Sequence, residues 1–172
     1  RYPDDPADHY GGLDEDFAAL IDQAQSQVDL AVYDFDLAYV AAALINAHNR
    51  GVRVRFFVEG DNADEEAVRA LERAGITVVK DERQSGLMHN KFAVVDAQWV
   101  WTGSWNLTDN GTYRNNNNAV LIASTALAEN YTVEFEELLA GEVGPTSPAD
   151  TVYPQVEIVG VDGETERAVF AP

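Results

Sequence analysis

The chain contains no cysteine, which excludes disulfides, thiolate metal sites and a cysteine nucleophile, and leaves the redox compartment open. It is almost as poor in lysine, with only Lys80 and Lys91 among its 172 residues, and its imidazoles are limited to His9, His48 and His89. No apolar run approaches the roughly 18 residues that a membrane span needs, and the start of the chain has no signal-peptide pattern, so no transmembrane segment is expected. There is no glycine-rich loop ending in Lys-Ser or Lys-Thr, and Ser104 does not sit in a G-x-S-x-G elbow. Those absences argue against a nucleotide triphosphatase and a serine hydrolase.

Positive charge is also scarce as a whole. Sixteen aspartates and fourteen glutamates against nine arginines and two lysines give a net charge of −19. A field of that sign repels polyanions, which disfavours tight nonspecific binding to nucleic acid or to an anionic membrane surface. The acidity is spread along the chain, as on the solvated surface of a salt-adapted protein or of an ordinary acidic one. Salt would screen the long-range repulsion, so charge alone does not remove a nucleic-acid substrate. The cluster Asp61, Asn62, Asp64, Glu65 and Glu66 lacks the glycine and distal glutamate of a calcium loop and reads as helix-start charge.

What the chain does have is one core's worth of apolar residues, 46% of the total. Phe17, Leu20, Ile21 and Ala24 recur at helical spacing over Asp14–Gln25, and Leu37–Asn49 is an alanine-rich helix stopped by Arg50-Gly51. Asn62 is expected to cap a third helix ending at Gly75, and Thr125–Ala140 is a fourth. Strands are expected at Val28–Tyr33, Val52–Val58, Ile76–Lys80, Lys91–Val95, Trp99–Thr102 and Ala119–Ser124, with a tight turn at Asp96, Ala97 and Gln98. Residues 81–87 read as a loop. The alternation predicts an α/β fold, a mixed and largely parallel sheet with helices on both faces. Residues 1–143 form the expected domain. Residues 144–172 read as a linker, Gly144-Pro-Thr-Ser-Pro148, and an incoming strand toward a second half. A start at Arg1 fits a longer parent chain.

The chemistry concentrates in Met88-His-Asn-Lys-Phe-Ala-Val-Val-Asp96, an H-x-K-x4-D pattern, followed by the turn Gly103-Ser-Trp-Asn106. Alternate strand residues share a face, so His89 and Lys91 would project to one side while Asn90 and Phe92 face the other. An imidazole and an ammonium held together suit a phosphodiester, whose own charge repels a nucleophile until a cation and oriented donors neutralise it. A neutral imidazole can attack phosphorus and give a phosphohistidine. A second imidazole must then protonate the leaving oxygen and later activate water or an alcohol. A single such pattern supplies half of that machinery.

These residues make the chain resemble one half of a phospholipase D superfamily enzyme, the family defined by the HKD motif. His89, Lys91, Asp96, Gly103, Ser104 and Asn106 carry the resemblance, and the Arg50-Gly-Val-Arg-Val segment supports it. The order of elements is similar over about residues 13 to 140. The resemblance implies a three-layer sandwich, two motifs meeting at a pseudo-twofold seam within one chain or between two copies, no cofactor, and no metal for most members. It implies His89 as nucleophile or general acid, Lys91, Ser104 and Asn106 as phosphate ligands, and Asp96 as a third motif residue with a mainly structural or orienting carboxylate. Many members carry a glutamate in an N-x-E-N stretch that orients an active-site histidine. Asn117 occupies that place here, and an amide orients an imidazole without stabilising its charged form.

Three functions follow as expectations: a phosphodiesterase acting on phosphatidyl-type groups, a nuclease of the same superfamily, and a non-catalytic half that completes a partner's site. Phospholipid is favoured over nucleic acid, for which a basic groove would be expected and is not visible in the sequence. His9 and His48 read as surface residues, and Asp96 taken alone as a hairpin carboxylate capping backbone groups. At least one of Trp99, Trp101 and Trp105 is expected in the core, with Trp105 a lesser candidate for lining the substrate pocket.

Overall fold

The computed structural model describes residues 10–83, 86–142 and 151–159, and the backbone of a strand at 165–169. In chain order the elements are α1 (Leu13–Gln23), β1 (Gln27–Val32), α2 (Ala38–Asn49), β2 (Arg53–Glu59), α3 (Glu66–Arg73), β3 (Thr77–Asp81), β4 (Lys91–Val95), β5 (Trp99–Gly103), α4 (Asp109–Tyr113), β6 (Ala119–Ala123), α5 (Thr125–Leu139), β7 (Gln155–Val159) and β8 (Thr165–Val169). Local chemistry accounts for most of the boundaries. Asp14, Glu15 and Asp16 place negative charge at the positive end of α1. Gly51 and Gly75, with φ of +93° and +84°, end α2 and α3 in a conformation that costs other residues. Ser124 caps α5 by accepting the Leu127 amide.

Six strands form one sheet in the order β3-β2-β1-β4-β5-β6. β1, β2 and β3 are parallel, joined by the helical crossovers α2 and α3, while β4, β5 and β6 run antiparallel to their neighbours. The mixed α/β layering is as expected, but the weight of parallel pairing is smaller. β4 turns straight back into β5 through a tight hairpin, a connection only antiparallel strands can use, while β5 reaches β6 through residues 104–118, which carry α4. The turn between β4 and β5 is tight, with Asp96, Ala97 and Gln98 between the paired Val95 and Trp99, Gln98 N–H bonded to Val95 O at 3.1 Å and positive φ at both Asp96 (53°) and Ala97 (52°). That is the handedness that matches strand twist.

Strand alternation sorts the core onto the two faces. Val28, Leu30 and Val32 of β1, Val54, Phe56 and Val58 of β2, and Ala93 and Val95 of β4 pack under α1, α2 and α3. Ala31, Phe57, Phe92, Val94 and Val100 pack against Leu127, Ala128, Phe135 and Leu138 of α5. On that second face the fully buried Asp29 takes a bidentate hydrogen bond from Arg55 (2.7 and 2.8 Å), which also reaches Glu136. A buried carboxylate needs such a partner. β7 and β8 form a separate hairpin. It is held to α5 by Val156 in the core and by Asn130, whose side chain exchanges two hydrogen bonds with the backbone of Tyr153.

Two expectations change. Asn62 does not cap α3: it lies in a 3-10 turn at Gly60–Asn62, and its amide donates to Tyr33 O at 2.7 Å. A longer-range carbonyl wins it, and α3 starts at Glu66 without a side-chain cap. The five-residue α4 is new, its start fixed by Thr108 Oγ1 accepting the Gly111 amide. The linker expected at 144–148 lies outside the described residues, as do residues 170–172 of the expected incoming strand. No described helix is long and apolar enough to cross a membrane.

Candidate active site

Register brings His89, Lys91 and the serine turn to one edge of the sheet, the end where β1 and β5 stop and β4 starts. Val32 of β1 faces Lys91 of β4, Phe92 faces Thr102 of β5, and Gly103 faces Ala119 of β6. The residues just past those pairs, Tyr33, His89, Ser104 and Asn118, therefore share that edge. A parallel bridge between Phe35 and Leu107 ties the corner after β1 to the segment after the serine turn, and Asp36 accepts the Asp109 amide at 2.8 Å.

His89 is exposed, and its ring lies 4.7 Å from that of Tyr33. Lys91 Nζ stands 5.2 Å from the same Tyr33 ring and donates to His89 O at 2.8 Å. The Tyr33 ring thus contacts both motif side chains. Asn90 turns the other way and donates to Glu134 of α5 (2.9 Å), and Phe92 packs on Tyr131 and Phe135. The alternation expected from strand geometry is what the structure has.

Electrostatics around the pair are mixed. Burial lowers the pKa of Lys91, while the nearby negative charge of Asp34 opposes that shift. Burial raises Asp34 above the usual carboxylate range, against the Phe35 amide hydrogen bond and the Lys91 charge. Asp36 is raised too, by burial first, then against the hydrogen bond from the Asp109 amide, with the charges of Asp34, Asp109 and Glu65 adding to the rise. The site pairs one cation with acidic neighbours that are reluctant to ionise.

The serine turn is built by close backbone approach. A Cβ on Gly103 would stand 2.3 Å from Asn118 O, so the position accepts only glycine without displacement. Ser104 N–H bonds to Asn118 O, and Ser104 Oγ accepts the Asn118 amide, both at 3.1 Å. Trp105 points the opposite way, 1% exposed against Phe17 and Trp101, with Nε1 bonded to Thr112. It anchors the turn in the core and does not line the site. Asn106 has a buried Oδ1 without a hydrogen-bond partner among the described residues. Asn117 accepts from Ser104 Oγ at 3.2 Å and donates to Gly111 O at 2.8 Å. What it orients is the serine hydroxyl, not an imidazole of the same chain.

Asp96 stands apart. β4 separates it from Lys91 by about 16 Å at strand rise, and its carboxylate accepts the amides of Gln25, Ser26 and Gln27 and the Ser26 hydroxyl. Burial alone would raise its pKa, and these donors together outweigh burial and hold it low. Of the three motif residues, His89 and Lys91 come together at Tyr33, at the same end of the sheet as Ser104, while Asp96 pins the β4–β5 turn to the start of β1. His48 is at the end of α2, away from other ligand types. Among the described residues, no group of three or more His, Asp or Glu side chains is placed to hold a metal.

Sequence reasoning did not single out Tyr33, Asp34 or Glu59. The signal for Tyr33 was its place at the end of a buried strand, where the next side chain leaves the core. Glu59 lies 30 residues from His89 in sequence and meets its loop only through the sheet.

Comparison with known proteins converges on one family. A family model described as "Cardiolipin synthase, PLD-like domain" matches residues 17–139. The chain is 38% identical over 121 residues to a mitochondrial cardiolipin hydrolase of Xenopus tropicalis, covering 69% of this chain and 57% of that protein. It is 35% identical over 122 residues to a phospholipase D of Rickettsia felis, covering 70% and 60%. Among solved structures, the phospholipase D family member Nuc from Salmonella typhimurium superposes with a TM-score of 0.68 at 26% identity, over 73% of this chain and 85% of that one. The matched region spans about three-fifths of the curated relatives' length.

Proposed function

This chain belongs to the phospholipase D-like family matched over residues 17–139, and from that premise we propose that it is a phosphodiesterase working through a covalent phosphohistidine. The observation that carries the reading is the contact of both His89 and Lys91 with the Tyr33 ring, at the end of the sheet from which the Ser104 turn leaves β5. A His89 ring nitrogen attacks phosphorus, an N–P bond forms, and the P–O bond to the leaving alcohol breaks. Lys91 offsets the charge on the phosphoryl oxygens, and the Ser104 hydroxyl and Asn106 amide donate to them. The leaving oxygen takes its proton from a second imidazole. Water then gives that proton back as it attacks phosphorus, and the N–P bond breaks.

The second imidazole comes from another HKD half, either in the same parent chain or in a second copy. A phosphatidyl-type substrate is favoured over nucleic acid. Relatives named cardiolipin hydrolase and phospholipase D support this.

The test is turnover of a chromogenic phosphodiester, bis(4-nitrophenyl) phosphate, with and without chelator, followed by phosphatidylcholine vesicles against single-stranded DNA over a salt series. We expect turnover that survives chelation, is greater on vesicles, and falls by at least about 10³-fold in His89→Asn. Full turnover by His89→Asn rejects the mechanism. DNA cleavage exceeding lipid hydrolysis at every salt concentration moves the substrate to nucleic acid.

A further inference from the structure

β2 ends in Glu59, whose side chain is only 4% exposed. A carboxylate taken out of water has to be met by donors. Glu59 Oε2 accepts the backbone N–H of Met88, the residue before His89, and Arg83 lies within its electrostatic reach. The position of Glu59 is fixed from behind. A Cβ on Gly60 would stand 2.2 Å from Asp81 O, so the ends of β2 and β3 close against each other.

Met88 is tethered twice, by that amide and by a side chain 1% exposed in the core on the α5 face. Asn90, on the other side of His89, is tethered to Glu134. The exposed imidazole is therefore carried on a backbone held one residue before and one residue after. Neither tether touches the space in front of Tyr33 where a phosphate would sit.

We propose that Glu59 is a positioning residue for His89: by accepting the Met88 amide it sets the backbone from which the imidazole projects past Tyr33. Glu59 touches no substrate and acts only through Met88. The idea deepens the phosphodiesterase reading and depends on it only for its rate readout.

The test uses the full chain with Glu59→Asp, which withdraws the carboxylate by one methylene and keeps its charge, and Glu59→Gln, which keeps an acceptor at the original reach. Measured are kcat and KM on bis(4-nitrophenyl) phosphate, exchange of the Met88 amide, and the His89 ring resonances, which the Tyr33 ring current shifts. For a folded Glu59→Asp, kcat should fall on the order of 10²-fold, the loss typical of an ångström of misplacement, with KM within about threefold. The Met88 amide should lose protection and the His89 signals should move. Glu59→Gln should recover most of each. A folded Glu59→Asp with wild-type kcat and unmoved His89 resonances overturns the proposal, as does a Glu59→Gln no better than Glu59→Asp. If the unmodified chain turns over no phosphodiester, the functional reading fails separately, and the His89 resonances alone decide this one.

Discussion

Replacing Asp96 by alanine should cost stability and leave the chemistry almost untouched. The carboxylate accepts three consecutive backbone amides, from Gln25, Ser26 and Gln27, and the Ser26 hydroxyl. Hydrogen bonds to a charged group contribute roughly 1.5–3 kcal/mol each when protected from water. Gln25 and Ser26 are exposed, so water recovers most of what their amides lose, and only the half-buried Gln27 amide is left poorly served. We therefore expect a loss of about 2–3 kcal/mol, or a fall in Tm of roughly 4–12 °C for a chain of this size. The sign with pH follows from the depressed pKa. The carboxylate's advantage over Asp96→Asn is complete above its unfolded pKa of about 3.9 and disappears as pH falls through the lower folded value. Thermal melts at neutral and acid pH, read beside kcat on a chromogenic phosphodiester, check both halves. A folded Asp96→Ala that loses turnover as completely as His89→Asn would refute the reasoning, and so would one with unchanged Tm.

Gly103→Ala should reduce turnover on the order of 10²-fold while the chain stays folded, because the added methyl meets Asn118 O and shifts Ser104; wild-type kcat in that variant contradicts it. Asp34→Asn removes a negative charge that raises the Lys91 pKa, so the alkaline limb of kcat/KM should move to lower pH. A limb that stays or moves upward in a pH–rate profile contradicts the pairing. Ala97→Gly should stabilise by roughly 1 kcal/mol, because Ala97 sits at φ 52° where a Cβ is penalised; chemical denaturation measures it, and a lower midpoint counts against the strain.

How far the sequence reached depended on whether a feature was periodic or relational. Phe17, Leu20 and Ile21 announced α1 because a buried helix face repeats, and the run from Lys91 to Thr102 announced a hairpin because two short apolar stretches flank the turn residues Asp96, Ala97 and Gln98. Asp109–Tyr113 had no such repeat. Its five residues hold together through Thr108 and through Tyr113, whose hydroxyl donates to the buried carboxylate of Asp14 ninety-nine positions earlier. Asn62 was misjudged for the same reason, since local rules make it a cap and only the folded chain offers it Tyr33 O. In the site, His89 and Lys91 were legible because two residues apart on a strand means one face. Tyr33 and Glu59 reach them through register between strands, which no single stretch of sequence encodes.

The bond from Ser104 to Asn117 has a consequence for how an anion would be received. A serine hydroxyl has one hydrogen, and here it is committed to a neutral amide oxygen at 3.2 Å, while the Asn118 amide occupies a lone pair. An arriving phosphoryl oxygen must swing that rotor away from Asn117 to win the hydrogen. A carboxylate at position 117 would grip the hydroxyl more tightly and make the swing dearer. On the proposed function, the amide would hold the hydroxyl by a weaker bond than a carboxylate and release it more readily to a charged guest.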